Sequence, residues 1–120
     1  MTAITCVVDS KSLLGESTYW DVKHQVLWWI DIYGPTIHRF DPRKGRDESW
    51  QAPEYLGCLA VREKGGLIVS MASGFYFFDH KTGAVDASGD PEADIPDTRF
   101  NDGKTDRQGR FWSGSMFEAE

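Results

Sequence analysis

Short apolar runs separated by turns make up most of this 120-residue chain. Residues 26–30 (VLWWI), 67–71 (LIVSM) and 75–78 (FYFF) are examples, and their length of about five residues is typical of β-strands. Turn-forming pairs such as Gly34-Pro35 and Gly65-Gly66 bound them. No segment has the apolar spacing of three and four residues that marks an amphipathic helix. The pattern therefore predicts an all-β protein built from hairpins.

The strand pattern also repeats at a nearly constant interval. Apolar runs begin at Val26, Leu67 and Phe111, which are 41 and 44 residues apart, and Asp-x-x-x-Gly turns begin at Asp41 and Asp79, 38 residues apart. A β unit of about 40 to 45 residues indicates a β-propeller, whose blades are four-stranded antiparallel sheets. We therefore predict a single propeller domain over residues 1–120 that is incomplete, with room for about two and a half blades.

An open arc of blades would leave sheet faces and strand edges uncovered. The chain could be the front part of a longer protein, could assemble from several copies, or could fold differently. We favour the first interpretation, because residues 118–120 follow directly on the start of a third blade. The uncovered edges also predict self-association.

Charge and composition exclude several classes of function. Nineteen acidic and thirteen basic side chains give a formal charge of −6, which argues against a nucleic-acid partner. The longest apolar runs are too short to cross a bilayer, and residues 1–10 do not resemble a secretory signal. Two cysteines, Cys6 and Cys58, are too few for a disulfide scaffold. We expect a cytoplasmic protein with reduced thiols and no membrane partner.

Glu16 is the first candidate for a functional side chain. It follows Gly15 in a predicted turn ahead of a strand, and the loops at the top of a propeller blade face the central channel. A carboxylate there can bind a hard cation through oxygen. The alternative is a solvated loop glutamate, which spacing alone favours.

A second group of candidates lies near the end of the chain. Arg99 and Asn101 are two residues apart, so both project to one side of an extended segment, where they suit the hydroxyl and carbonyl groups of a polyol or lactone. The alternative is that residues 101–103 (NDG) are only a turn. Glu118 and Glu120 would also share a face, for binding or for acid/base chemistry, unless they are simply a polar chain end.

The histidines do not indicate a metal site. His24, His38 and His80 fall in predicted turns or at strand edges of different hairpins, without the close spacing of zinc ligands. Cys6 and Cys58 are expected to be small buried side chains rather than ligands.

Several of these stretches together resemble the SMP-30/gluconolactonase family, also called regucalcin-like. Residues 14–17 (LGES), 27–32 (LWWIDI) and 37–42 (IHRFDP) are similar to its opening blade. Residues 99–104 (RFNDGK) and 109–112 (GRFW), followed by Gly114 and Met116, are similar to its most distinctive segment. The similarity runs from about Cys6 to Met116.

The resemblance implies a six-bladed propeller with one divalent cation in its channel, usually calcium, with zinc or manganese able to substitute. It implies hydrolysis of sugar lactones such as gluconolactone. It makes Glu16 a metal ligand, Arg99 and Asn101 the substrate-binding pair, and Glu118 or Glu120 a substrate-contacting acid. The family's other metal ligands, an Asn and an Asp that also acts as general base, lie in later blades, beyond residue 120.

The function expected of a complete family member is metal-assisted lactone hydrolysis, in which the cation polarises the carbonyl and activates a bound water. The 120 residues alone are expected not to be a competent lactonase, because calcium takes about six to eight oxygen ligands and Glu16 is only one residue. Two alternatives stay open: a non-enzymatic calcium-binding propeller protein, and a truncated fragment without a function of its own.

Overall fold

The turns between the apolar runs fold the chain into consecutive antiparallel hairpins. The computed structural model describes residues 2–118, and within that range the chain forms ten strands and no helix, so none that could span a membrane. The strands are β1 (Gly15–Asp21), β2 (Val26–Asp31), β3 (Thr36–Asp41), β4 (Arg46–Gln51), β5 (Leu56–Val61), β6 (Leu67–Met71), β7 (Gly74–Asp79), β8 (Ala84–Gly89), β9 (Thr98–Thr105) and β10 (Phe111–Phe117).

The hairpins form sheets in the order of the sequence. β1 to β4 make one four-stranded antiparallel sheet, β5 to β8 make a second, and β9 pairs with β10. The first strands of these units begin at Gly15, Leu56 and Thr98, which are 41 and 42 residues apart. The all-β class, the four-stranded blades and the period of about 40 residues predicted from the sequence are therefore confirmed.

The core lies between the first two sheets. Trp28, Ile30 and Ile37 of the first sheet share one buried cluster with Leu59, Val69 and Phe78 of the second. Each such side chain contributes about 1.5 to 3 kcal/mol when it leaves water. This packing brings the first strands of the units together, with β5 lying between β1 and β9.

The two ends of the sheets differ in their turns. We call the end at which β1, β5 and β9 begin the upper end, and the opposite end the lower end. At the lower end Asp21, Asp41, Asp79 and Asp106 each end or follow a strand and accept a hydrogen bond from a backbone N–H two or three residues later. These bonds close the turns, as Asp side chains commonly do.

Three local expectations from the sequence were wrong. Glu16 lies within strand β1, paired with Ile30, and not in a turn before the strand. His38 is buried in the middle of β3, because both faces of that strand are covered; its ring stacks on Trp29 at 4.4 Å. Cys6 is exposed, whereas Cys58 is buried as expected.

Candidate active site at the upper end of the inner strands

Direct contacts hold β1, β5 and β9 side by side. The backbone N–H of Leu59 in β5 donates to Ser17 Oγ in β1 over 3.0 Å. On the other side of β5, a Cβ placed on Gly57 would lie 2.5 Å from the carbonyl oxygen of Asn101 in β9, a spacing that only glycine allows. The packing therefore brings Glu16, near the start of β1, and Arg99 and Asn101, near the start of β9, to the same end of the sheets.

We call β1, β5 and β9 the inner strands. Each of them departs from regular antiparallel pairing close to its upper end. In β1 the pairing register with β2 shifts between Glu16 and Tyr19, and in β5 the register with β6 shifts at Gly57. In β9 two residues, Asn101 and Asp102, lie opposite the single residue Gly114 of β10. Ser17, in the first bulge, has a φ of 55°. Bulges bend a strand and re-aim its side chains, and they are common at barrel rims and beside active sites. The candidate residues Glu16 and Asn101 both border such a bulge.

Asp31 holds in place the segment that leads into β1, just before Glu16. Its carboxylate accepts hydrogen bonds of 2.9 Å from the backbone N–H groups of Leu13 and Leu14. Burial alone would raise the pKa of Asp31, but these and other backbone hydrogen bonds outweigh it and hold the pKa below its usual range. Asp31 is therefore ionised at neutral pH, and it anchors the chain that leads into β1.

Arg99 is the most constrained of the sequence-predicted residues. It is buried, with 6% of its surface exposed, and its Nε donates to Glu118 Oε2 over 2.8 Å. Its guanidinium lies 6.0 Å from the centre of the Tyr33 ring. A charge-assisted hydrogen bond and an aromatic neighbour fix the plane of the guanidinium, which leaves a donor group with defined orientation at the upper end.

Glu118 is brought to Arg99 by the continuation of the last hairpin. Beyond the paired residues of β10, the N–H of Glu118 donates to the carbonyl of Asp97 over 2.7 Å. The Glu118 side chain is 44% exposed, so one face of the carboxylate stays open to a ligand. The alternative acid, Glu120, lies outside the described residues.

Two tyrosines that sequence reasoning missed complete this surface. Tyr33, in the β2–β3 turn, and Tyr55, just before β5, pack edge to face with ring centres 5.1 Å apart. They are 40% and 44% exposed. A tyrosine ring offers an apolar face that can pack on the C–H groups of a sugar, and its phenolic hydroxyl can hydrogen-bond to the sugar hydroxyls. Their only sequence signal is a position next to or two residues from glycine or proline, in the segments between strands.

The described residues do not make a complete metal site. Within residues 2–118 no three His, Cys, Asp or Glu side chains lie close enough together to hold one ion. Glu16 is half-buried at the upper end and offers a single carboxylate. Calcium takes about six to eight oxygens, so the carboxylate of Glu16 fits as one ligand of a cation and not as the site itself.

Blades of four antiparallel strands that repeat about every 40 residues define a segment of a β-propeller. The chain belongs to the SMP-30/gluconolactonase/LRE-like family, whose model matches residues 14–120.

Three relatives indicate the range of the family. The chain is 42% identical to a 6-deoxy-6-sulfogluconolactonase of Pseudomonas putida over 96% of its own length and 40% of that protein. It is 34% identical to regucalcin of Danio rerio over 94% of its own length and 38% of that protein. The solved structure of regucalcin from Agrobacterium tumefaciens, described as a calcium-binding protein, matches with a TM-score of 0.85 and 26% identity, over 92% of this chain and 38% of that one. The chain thus spans about two fifths of the length of these relatives.

Proposed function

We propose that this chain supplies the sugar-lactone-binding side of a metal-dependent lactone hydrolase. The observation that carries the proposal is the buried Arg99, held by Glu118 and flanked by Tyr33 at one end of the inner strands. Fixed guanidinium donors suit the carbonyl and hydroxyl oxygens of a lactone, and the open face of Glu118 accepts hydrogen bonds from its hydroxyls. In this proposal Asn101, half-buried two residues along β9, supplies an amide to the same ligand.

Two further features support the substrate class. The relative from Pseudomonas putida is named for action on a sulfosugar lactone, so sugar lactones are the chemistry found among similar chains. The upper end also places exposed tyrosine rings next to charged groups, as a ligand with both apolar ring faces and hydroxyls requires.

The cation would be Ca²⁺, with Zn²⁺ or Mn²⁺ as substitutes, and Glu16 would be one of its ligands. When bound, such an ion polarises the lactone carbonyl and supplies an activated water. Within residues 2–118 no group of three His, Cys, Asp or Glu side chains could hold the ion, so in this proposal Glu16 needs further acidic or amide ligands from elsewhere. We therefore propose that the chain alone binds lactones but hydrolyses them poorly.

The experiment separates binding from turnover. A sugar lactam, in which N–H replaces the ring ester oxygen, is titrated into the 120-residue chain by calorimetry, and hydrolysis of gluconolactone is followed by acid release with and without added Ca²⁺, Zn²⁺ or Mn²⁺. Lactam binding that weakens in Arg99→Lys supports the site. No binding, or binding that Arg99→Lys leaves unchanged, would refute it.

A non-enzymatic calcium-binding protein is the second candidate, favoured by the calcium-binding description of the regucalcin structure. Calcium binding without lactam binding would select this alternative. Metal-dependent turnover that is lost in Glu16→Gln would exclude it.

A further inference from the structure

A cleft lies at the lower end of the molecule, between the first two sheets. It has a volume of about 730 Å³, within the usual range for small-molecule sites. The β1–β2 turn, the β5–β6 turn and the residues that follow β7 form its rim, and Trp28 and Arg39 lie in its walls. The cleft and the Arg99–Glu118 surface lie at opposite ends of β2, so they are separate features.

The lining of the cleft is cationic in a chain of net negative charge. Five Lys and Arg residues line it against two acids, although the whole chain carries a formal charge of −6. One of the acids, Asp21, is already bound to the ring and the backbone N–H of His24. Within residues 2–118 no carboxylate lies within 4.0 Å of the charged atoms of these cations. They are Lys23, Arg39, Arg62, Lys64 and Lys81.

The walls also contain buried polar atoms that lack partners. In the described part of the chain, Arg39 Nε and His80 Nδ1 are enclosed and make no hydrogen bond. The Trp28 indole lies beside the Asp21 carboxylate, whose pKa it helps to lower. Trp28 is only 3% exposed, and the Arg39 guanidinium lies 5.7 Å from the centre of its ring. A buried polar group without a partner costs stability, so two such groups beside one cleft favour a ligand that supplies the missing partners.

Arg39 is the centre of this arrangement. A half-buried guanidinium with no carboxylate partner is unfavourable by itself, and its charge is not offset by His80. Burial, followed by the charge of Arg39, lowers the pKa of His80, so the imidazole is neutral at pH 7 and available to donate or accept a hydrogen bond. The cleft therefore offers two guanidinium groups, a neutral imidazole ring and three lysine ammonium groups.

We propose that this cleft binds a small phosphorylated organic molecule, with the phosphoryl group at Arg39 and the rim lysines and the organic part against the half-buried ring of Tyr19. The phosphoryl group fits because it carries up to two negative charges and three acceptor oxygens, enough for a guanidinium and several ammonium groups at once. A cleft between two sheets suits a small molecule, whereas a nucleic acid requires an extended basic face, which a chain of net charge −6 does not suggest.

The test is calorimetric titration of the 120-residue chain with glucose 6-phosphate, and with glucose and inorganic phosphate as reference ligands. We expect the phosphate ester to bind and glucose not to bind. Arg39→Gln is expected to lower the affinity for the phosphate ester by about tenfold or more, the usual effect of losing a charge-assisted hydrogen bond. Raising the salt concentration is expected to lower the affinity of the wild-type chain for the ester, because salt screens the charges.

A second variant protects the test against misfolding of Arg39→Gln. Lys64→Gln/Lys81→Gln changes two exposed rim lysines, and Lys11→Gln/Lys104→Gln removes the same charge from exposed positions outside the cleft. We expect only Lys64→Gln/Lys81→Gln to lower the affinity for the phosphate ester. Equal affinity for glucose and its phosphate, equal loss in both double variants, or inorganic phosphate binding as tightly as the ester would overturn the proposal.

Discussion

Arg99 Nε donates a 2.8 Å hydrogen bond to Glu118 Oε2, and the two partners differ sharply in exposure: the Arg99 side chain is 7% exposed and that of Glu118 44%. The carboxylate thus neutralises a buried cation from the solvent side. Partly exposed ion pairs add little to stability, so the pair has more influence on the orientation of the guanidinium than on folding.

Glu118→Gln should therefore separate binding from stability. We expect the free energy of unfolding to change by about 1 kcal/mol or less, since Glu118 is 44% exposed and glutamine keeps an acceptor oxygen for Arg99. The affinity for a sugar lactam is expected to fall by about tenfold, because Arg99 loses its anionic anchor and the ligand loses an acceptor. Calorimetry and thermal melts measure the two quantities. Glu63→Gln, at an exposed lower-end position, is the matched control, and equal effects of the two variants would contradict the prediction.

Tyr33 is expected to contribute ring contact more than its hydroxyl group. Tyr33→Ala should weaken lactam binding by about three- to tenfold, which corresponds to the usual free energy of an aromatic contact in addition to the burial of apolar surface. Tyr33→Phe keeps the ring beside Arg99 and should retain most of the affinity. Both variants are compared by the same titration. A loss in Tyr33→Phe as large as in Tyr33→Ala would show that the hydroxyl is what matters.

Gly57 controls the approach of β5 to β9. A Cβ there would lie 2.5 Å from both Asn101 O and Ser70 Oγ, so Gly57→Ala should destabilise the fold by about 1 to 3 kcal/mol through overpacking. Gly89→Ala is the control, because a Cβ at that position meets nothing within 4 Å. Urea denaturation gives both values. Equal stability of the two variants would mean that β9 does not pack on β5 as described.

Asp106 gives the last hairpin a defined pH dependence. Hydrogen bonds from the Trp112 side chain and the Arg110 backbone, among others, lower the pKa of Asp106 from 3.8 to about 2. The stabilisation is fully present above pH 3.8, where the carboxylate is also ionised in the unfolded chain, and it is lost as pH falls through about 2.

Asp106→Asn should remove this dependence. The stability difference between wild type and variant is expected to be constant above about pH 4 and to shrink towards pH 2. Urea denaturation at a series of pH values measures it, and the indole N–H signal of Trp112 reports on the hairpin directly. A difference that does not vary with pH would show that Asp106 titrates normally.

The outer edge of β10 should promote self-association. In residues 2–118 it pairs with β9 alone, and Trp112, Met116 and Phe117 are exposed along it. We expect Phe117→Lys to lower the associated fraction in light scattering, since a charge on an edge strand discourages pairing. Val22→Lys, an exposed apolar residue in a turn, is the control. Equal changes in both would indicate non-specific apolar association.

The periodic features were predictable from the sequence and the contacts between units were not. Strand runs and turns are local, so the blade period and the approximate positions of β2, β6 and β7 follow from residue patterns. The meeting of Arg99 with Glu118 depends on hairpin register, and its meeting with Tyr33 depends on how separate hairpins pack. Gly15 favours a turn at Glu16, but the bulge after Glu16 lets the strand begin earlier.

The irregular pairing near the start of each inner strand has a consequence for how such a protein diverges. A bulge absorbs an extra residue locally, and the neighbouring strands keep their pairing. One inserted or deleted residue at Ser17, Gly57 or Asn101 therefore rotates the adjoining side chains while the outer hairpins stay as they are. The shape of the upper end can therefore change by single-residue length differences, independently of the core that holds the blades together.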